Sequence, residues 1–225
     1  MWAIVPLKSP ERAKTRLADV LNPTQRRQLL FTLGERMINA LHATPEIEAV
    51  IVVTTSADVA AFAGALGALP ILQADETGTT SAFVAALREL RGCEIASVLM
   101  IAGDLPLVTS IALQRLVAAR HSANAIVVPD RHRIGTNALL CSPPHALAPS
   151  FGGESFDRHL AIADETGVRT RVLEIDELAL DLDCAADLNE LRLLDHSIAT
   201  ALFATLQVID AKWDAPTRRI VELVR

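Results

Sequence analysis

The stretch SVLMIAGDLPLV, residues 97–108, decides how this chain folds. After Ser97 its residues run apolar without alternation to Ala102, the pattern of a strand covered on both faces. Gly103 and Asp104 then end the run, and Pro106 restricts the backbone so that Asp104 stays at the strand tip. A covered strand with an acid beyond its carboxyl end belongs to an open α/β sheet, where ligands gather outside the strand ends.

Outward from this stretch, strands alternate with helices. Residues 2–7 and 49–55 (AVIVVTT) are apolar, β-branched runs and read as buried strands. Short strands are expected at 69–72, 125–128, 137–141 and 171–175. Residues 23–41 place Leu29, Leu30, Leu33, Met37 and Leu41 at helical spacing, with Asn22 as N-cap and Pro23 in the first turn. Further helices are expected from Asp58, as cap, to near Gly67, and over 80–90, 111–120, 183–194 and from Ser155 to Gly167. The alternation predicts βαβ units: a single-domain α/β, Rossmann-like fold with a mostly parallel sheet flanked by helices. Residues 1–195 would form this domain. Residues 196–225 read as a helical C-terminal tail, with Ile198, Leu202 and Leu206, then Ile220 and Val224, on apolar faces. It could pack on the sheet or on a second subunit, which leaves a homodimer open.

The composition excludes several classes. A net charge of -6 without a basic tail argues against a general nucleic-acid binder. The longest uncharged apolar stretch, residues 59–72, is too short to span a bilayer and carries glycines and a proline. The N-terminus has no basic region before its apolar run, so no secretory signal is expected. Cys93, Cys141 and Cys184 are far apart, which disfavours a disulfide framework or zinc site. A cytoplasmic protein is expected.

The loops after the strands should carry the chemistry. After the first strand comes VPLKSPERAKTRL, where Lys8, Arg12, Lys14 and Arg16 concentrate positive charge in an acidic chain. Such a cluster suits a polyphosphate, with arginine able to bind it bidentately. Asp104 suits a hard cation, since Mg²⁺ takes one or two carboxylates together with phosphate oxygens and water. In LDLDCAADL, residues 180–188, Asp181 and Asp183 are two apart and point the same way if extended. Either could complete a metal site with Asp104, while Asp183 could instead cap the next helix. Asp187 reads as a helix-surface residue. In GTNALL, residues 135–140, and FGGESFDRH, residues 151–159, Gly152 and Gly153 allow close approach of an anion to the backbone, and Ser155 opens a helix. His159, one turn later, could reach the same ligand.

In this order, VPLKSPERAKTRL, GDLPL, GTNALL, FGGESFDRH and LDLDCAADL resemble the 2-phospho-L-lactate guanylyltransferase family of coenzyme F420 biosynthesis. They cover roughly residues 2–191. The resemblance implies a GT-A-type nucleotidyltransferase that joins GMP from GTP to 2-phospholactate, phosphoenolpyruvate or 3-phosphoglycerate and releases pyrophosphate. It implies that Lys8, Lys14 and Arg16 grip the triphosphate, that Asp104, Asp181 and Asp183 hold Mg²⁺, and that Thr136, Gly152 and Ser155 bind the phosphorylated acid. The family carries Leu-Asn where this chain has Thr80-Ser81, which puts Ser81 at the base-reading position and keeps CTP or UTP open as donor. A non-catalytic nucleotide-binding homologue is the reading from another class.

Overall fold

A computed structural model describes residues 1–75 and 78–207. Ile220 and Val224, the second apolar face expected in the tail, lie outside the described residues.

Seven strands form one sheet in the order β3-β2-β1-β4-β6-β5-β7. They are β1 (Trp2–Pro6), β2 (Ala49–Thr54), β3 (Leu69–Leu72), β4 (Val98–Ile101), β5 (Ala125–Pro129), β6 (Thr136–Cys141) and β7 (Thr170–Val172). β1 pairs in parallel with β2 and β4, β2 with β3, and β5 with β7. β6 runs antiparallel to both of its neighbours, β4 and β5. Its start therefore lies at the edge where the other strands end, and the Ala102 N–H donates to the Asn137 carbonyl across that edge.

The helices are α1 (Pro23–His42), α2 (Ala57–Ala65), α3 (Thr79–Glu89), α4 (Ser110–Ala118), α5 (Ser155–Thr166), α6 (Asp176–Ala179), α7 (Ala185–Leu194) and α8 (His196–Thr205). The period of two along each strand splits the core. Ala3 and Val5 face Met37, Leu41, Val59 and Leu116 on one side of the sheet. Ile4, Val53 and Met100 face Phe83, Leu87 and Phe156 on the other. A third apolar layer sits beyond the strand ends, where Leu17, Leu29, Leu180, Leu182, Leu188, Leu202 and Phe203 come together. It packs α8 on α7 and α1 and anchors the segments that flank the candidate site.

Local signals explain most boundaries. Asn22 is the N-cap of α1, as expected, and it forms a reciprocal cap with Gln25, each side chain accepting the other's backbone N–H at 2.9 Å. Asp58 is not the cap of α2. Ser56 is, its hydroxyl accepting from Val59 N–H, while Asp58 lies in the first turn and pairs with Arg27 at 2.9 Å. The strand expected over 171–175 stops at Val172, and α6 follows from Asp176.

Candidate active site

The site is built on strand ends. After β1, the Ser9 carbonyl accepts the N–H groups of Arg12 and Ala13, turning the chain back. Lys14 follows in the left-handed region, with φ 55°. That conformation costs a non-glycine residue on the order of 1 kcal/mol. The short turn Thr15–Leu17 then drives Leu17 into the third apolar layer. Together these features aim the Lys14 side chain inward, where only 7% of it is exposed.

Lys14 Nζ donates to Asp104 Oδ2 at 2.5 Å and to Asp183 Oδ1 at 3.1 Å. Burial works to lower its pKa, but the two carboxylates outweigh burial and raise it, so the ammonium is held charged. Asp104 is positioned by Gly103. A Cβ there would come within 2.5 Å of Leu7 Cδ2 and 3.1 Å of the Pro6 carbonyl. Glycine lets the end of β4 lie this close to the end of β1 without displacing Leu7.

The LDLD segment follows a period of two. Leu180 and Leu182 are buried in the third layer, and Asp181 and Asp183 take the opposite side. The Leu182 N–H donates to the Asp104 carbonyl at 3.2 Å, fastening this segment beside the end of β4. Burial first, and then the charges of Asp104 and Asp183, push the Asp181 carboxyl up to about 6. Negative charge is therefore in surplus around a single buried lysine. Arg16 adds a loose contact, 3.8 Å from Asp183, with 78% of its side chain exposed.

Asp104, Asp181 and Asp183 are hard oxygen donors of the kind that Mg²⁺ takes one or two of. The surplus carboxylate charge is what a hard cation would relieve. Among the described residues no three His, Cys, Asp or Glu side chains form a cage tight enough to hold an ion unaided. An ion that completes its shell with phosphate oxygens and water has no need of one.

Asp183 does not cap α7. The N-cap is Cys184, and the capping acid is Asp187, which accepts the N–H groups of Asp183 at 2.7 Å and Cys184 at 2.6 Å. Asp187 is thus no surface residue. It is 6% exposed and pairs with Arg131 at 2.6 Å. The sequence carried the signal, an acid three residues after the cap position.

The opposite wall joins α3 to the loop before α5. The Thr80 hydroxyl donates to the Phe151 carbonyl at 2.9 Å, and the rings of Phe83 and Phe151 lie 4.4 Å apart. Ser81 is half-buried in the first turn of α3. Gly152 has φ 108°, and its carbonyl accepts from Arg158. α5 opens at Ser155 as expected, with Glu154 as its N-cap. Ser155 is buried, and its hydroxyl accepts the Thr136 N–H at 2.8 Å. The Thr136 hydroxyl is 2.9 Å from His159 Nδ1, and His159 Nε2 accepts the Ser150 N–H at 2.9 Å. His159 is fully buried, and burial pushes its pKa down to about 4, so the ring is neutral. Thr136, Ser155 and His159 do come together, but as an internal brace beneath the Gly152 loop. The Thr136 hydroxyl meets the His159 ring, and Ser155 and His159 each accept a backbone N–H, which ties both residues to the underside of that loop. Lys8 lies apart from them, exposed above a groove formed by Thr54, Gln73, Gly78 and Thr79.

A cavity of about 410 Å³ lies beside Leu180, under α6 and the α7–α8 junction. Asp176, Glu177, Glu190 and Asp195 line it, so its charge repels a polyphosphate.

The family described as guanylyl transferase CofC like matches residues 1–216. A phosphoenolpyruvate guanylyltransferase of Sphaerobacter thermophilus is 38% identical over 192 residues, covering 84% of this chain and 91% of its own. A 3-phospho-D-glycerate guanylyltransferase of Colwellia psychrerythraea is 27% identical, covering 88% and 94%. A nucleotidyl transferase from Methanothermobacter has the same fold, with a TM-score of 0.62 at 20% identity over 88% of this chain and 97% of its own. No helix among the described residues is long and apolar enough to cross a membrane. A match over nearly the whole sequence, on a nucleotidyltransferase fold, means that this chain belongs to the CofC-like guanylyl transferase family.

Proposed function

We propose that this protein transfers GMP from GTP to the phosphate of a small phosphorylated carboxylic acid, as the names of its relatives suggest, and releases pyrophosphate. Phosphoenolpyruvate, 3-phosphoglycerate and 2-phospholactate are the candidate acids, and coenzyme F420 biosynthesis is the setting. The observation that carries the reading is Lys14 held between Asp104 and Asp183 at the ends of β1 and β4.

The phosphate of the acid attacks the α-phosphorus in line. As a dianion it is already nucleophilic, so the protein need not supply a general base. Its work is positioning and charge neutralisation. Lys14 and Arg16 bear on the phosphates, Arg16 from the solvent side and Lys14 from within. Asp104, Asp181 and Asp183 hold Mg²⁺, which neutralises charge on the phosphates when bound. Lys8 and Ser81 face the nucleotide. The Gly152–Gly153 backbone receives the acid, with Thr136, Ser155 and His159 bracing that loop from below.

Mass spectrometry of products from a mixed pool of four nucleoside triphosphates and the three acids, with Mg²⁺, tests the reading. A guanylylated acid is the expected product. A cytidylylated or uridylylated product would move the donor assignment to Ser81's alternative bases. No nucleotidylated product from any pair would reject the activity.

A further inference from the structure

We infer that Asp187, locked to Arg131, is a positioning residue that sets the metal-binding carboxylates, and that it acts through the backbone of Asp183. This rests on the reading of Asp104, Asp181 and Asp183 as the metal site.

Asp183 lies at the end of an extended segment between α6 and α7, where no ladder of strand hydrogen bonds fixes it. Its fixation comes from elsewhere. Asp187 Oδ2 accepts both the Asp183 and the Cys184 N–H, at 2.7 and 2.6 Å. Asp187 Oδ1 accepts from Arg131 Nη2 at 2.6 Å, and Arg131 Nε lies 3.1 Å from Glu190 Oε2. The Arg131 side chain is 17% exposed and that of Asp187 9%, so solvent screens the pair little. Burial works to raise the Asp187 carboxyl, but the Cys184 N–H, Arg131 and the Asp183 N–H outweigh it and hold the group ionised.

The other end of the segment is clamped as well. The Arg131 N–H donates to the Ala179 carbonyl at 3.0 Å. Asn137 Nδ2, buried at the start of β6, donates to the carbonyls of Leu178 and Ala179, each at 3.0 Å. Arg131 thus touches both ends of the segment: Ala179 through its backbone and Asp183 through Asp187. The carboxylates of Asp181 and Asp183 hang between two fixed points. An ordinary helix cap needs only the carboxylate of Asp187. Arg131 holds the span from both ends, its buried guanidinium on Asp187 and its own backbone N–H on the Ala179 carbonyl.

Mn²⁺ alone serves as the probe, followed by loss of the free-ion electron paramagnetic resonance signal, with pyrophosphate release measured in parallel. Asp187→Asn should weaken Mn²⁺ binding at least 10-fold and lower kcat by a similar factor, with the GTP KM changed less than 3-fold. Arg131→Lys, which keeps the charge but not the forked donors, should show the same effect at smaller size, and Asp187→Glu should recover part of it. Ser56→Ala, which removes the N-cap of α2 (an acceptor for Val59 N–H at 3.4 Å), is the control for stability alone and should lower Tm without changing Mn²⁺ affinity. If Asp187→Asn and Arg131→Lys lose Tm as the control does but bind Mn²⁺ like the wild type, Asp187 is only a cap and the inference falls. A wild-type protein that leaves the Mn²⁺ signal unchanged would overturn it too. If the wild type guanylylates no acid yet the Mn²⁺ contrast between variants persists, the proposed activity fails and the positioning role stands.

Discussion

Lys14 Nζ lies 2.5 Å from Asp104 Oδ2, although 90 residues separate them in the chain. One residue leaves β1 and the other leaves β4, strands that are neighbours in the sheet. The contact makes the basic loop and the acidic strand tip a single unit, and it orders the expectations below.

Replacing Asp104 with Asn removes a charge but keeps the shape. Turnover should fall about 100-fold or more, the scale of losing a principal electrostatic group, while the far-ultraviolet circular dichroism stays that of the wild type. Near-normal pyrophosphate release from this variant would remove Asp104 from the catalytic centre.

Lys14 combines an inward charge with a left-handed backbone. Lys14→Ala and Lys14→Gly should both raise the GTP KM and slow the step. Glycine accepts φ 55° freely, so Lys14→Gly should be more stable than Lys14→Ala by about 1 kcal/mol in urea unfolding. Equal stability would argue that the loop relaxes once the side chain is gone.

The Asp181 carboxyl, at about 6, stands above its unfolded value of 3.8. Its contribution to stability is therefore fully present below pH 3.8 and is lost as pH rises through 6. In metal-free buffer at pH 8, Asp181→Asn should be more stable than the wild type by about 2 kcal/mol, with the advantage vanishing near pH 4. The same variant should lose turnover with Mg²⁺. Denaturant titrations at the two pH values decide the first part, and a variant less stable at pH 8 would contradict it.

His159 shifts the other way, from 6.5 down to about 4. Its neutral form stabilises the native state above pH 6.5, and that contribution drains away as pH falls toward 4. Relative to His159→Gln, the wild type should lose on the order of 3 kcal/mol across that window. Parallel stability curves for the two proteins would show that the ring titrates without cost.

Gly103 tolerates no side chain without movement, because a Cβ would press on Leu7 and the Pro6 carbonyl. Gly103→Ala should cost about 1–3 kcal/mol. It should also lower kcat, since pushing β4 away from β1 stretches the Lys14–Asp104 contact. Loss of stability with unchanged kcat would mean that Leu7 yields alone.

Much of this architecture was legible in the residues. The apolar runs at 2–7, 49–55 and 97–102 named the central strands because parallel, covered strands leave a continuous signature. Asn22 with Pro23 named the start of α1. The basic loop and Asp104 were placed on one edge by the rule of strand ends. Other features had no local signature. β6 runs backward, which no pattern in TNALLC reveals, and only that reversal brings Thr136 and Asn137 to the working edge. The four-residue α6 is too short for a helical period to register. Asp187 sits three residues past the N-cap, which marks a capping acid, but its burial had no such mark because its partner, Arg131, comes from a distant loop. That Ser155 and His159 are buried against Thr136 follows from tertiary packing, and spacing carries no trace of it.

The apolar layer shared by Leu17, Leu180, Leu182, Leu202 and Phe203 makes the last described helix a keel for the reaction centre. Leu17 sits three residues past the buried lysine, and Leu180 and Leu182 bracket an aspartate of the opposing segment. This oily floor draws on residues from both sides of position 195. Chemistry at the head of the chain is thus tethered to packing near its tail, and drift in α8 would be felt as sluggish catalysis well before the sheet itself came apart.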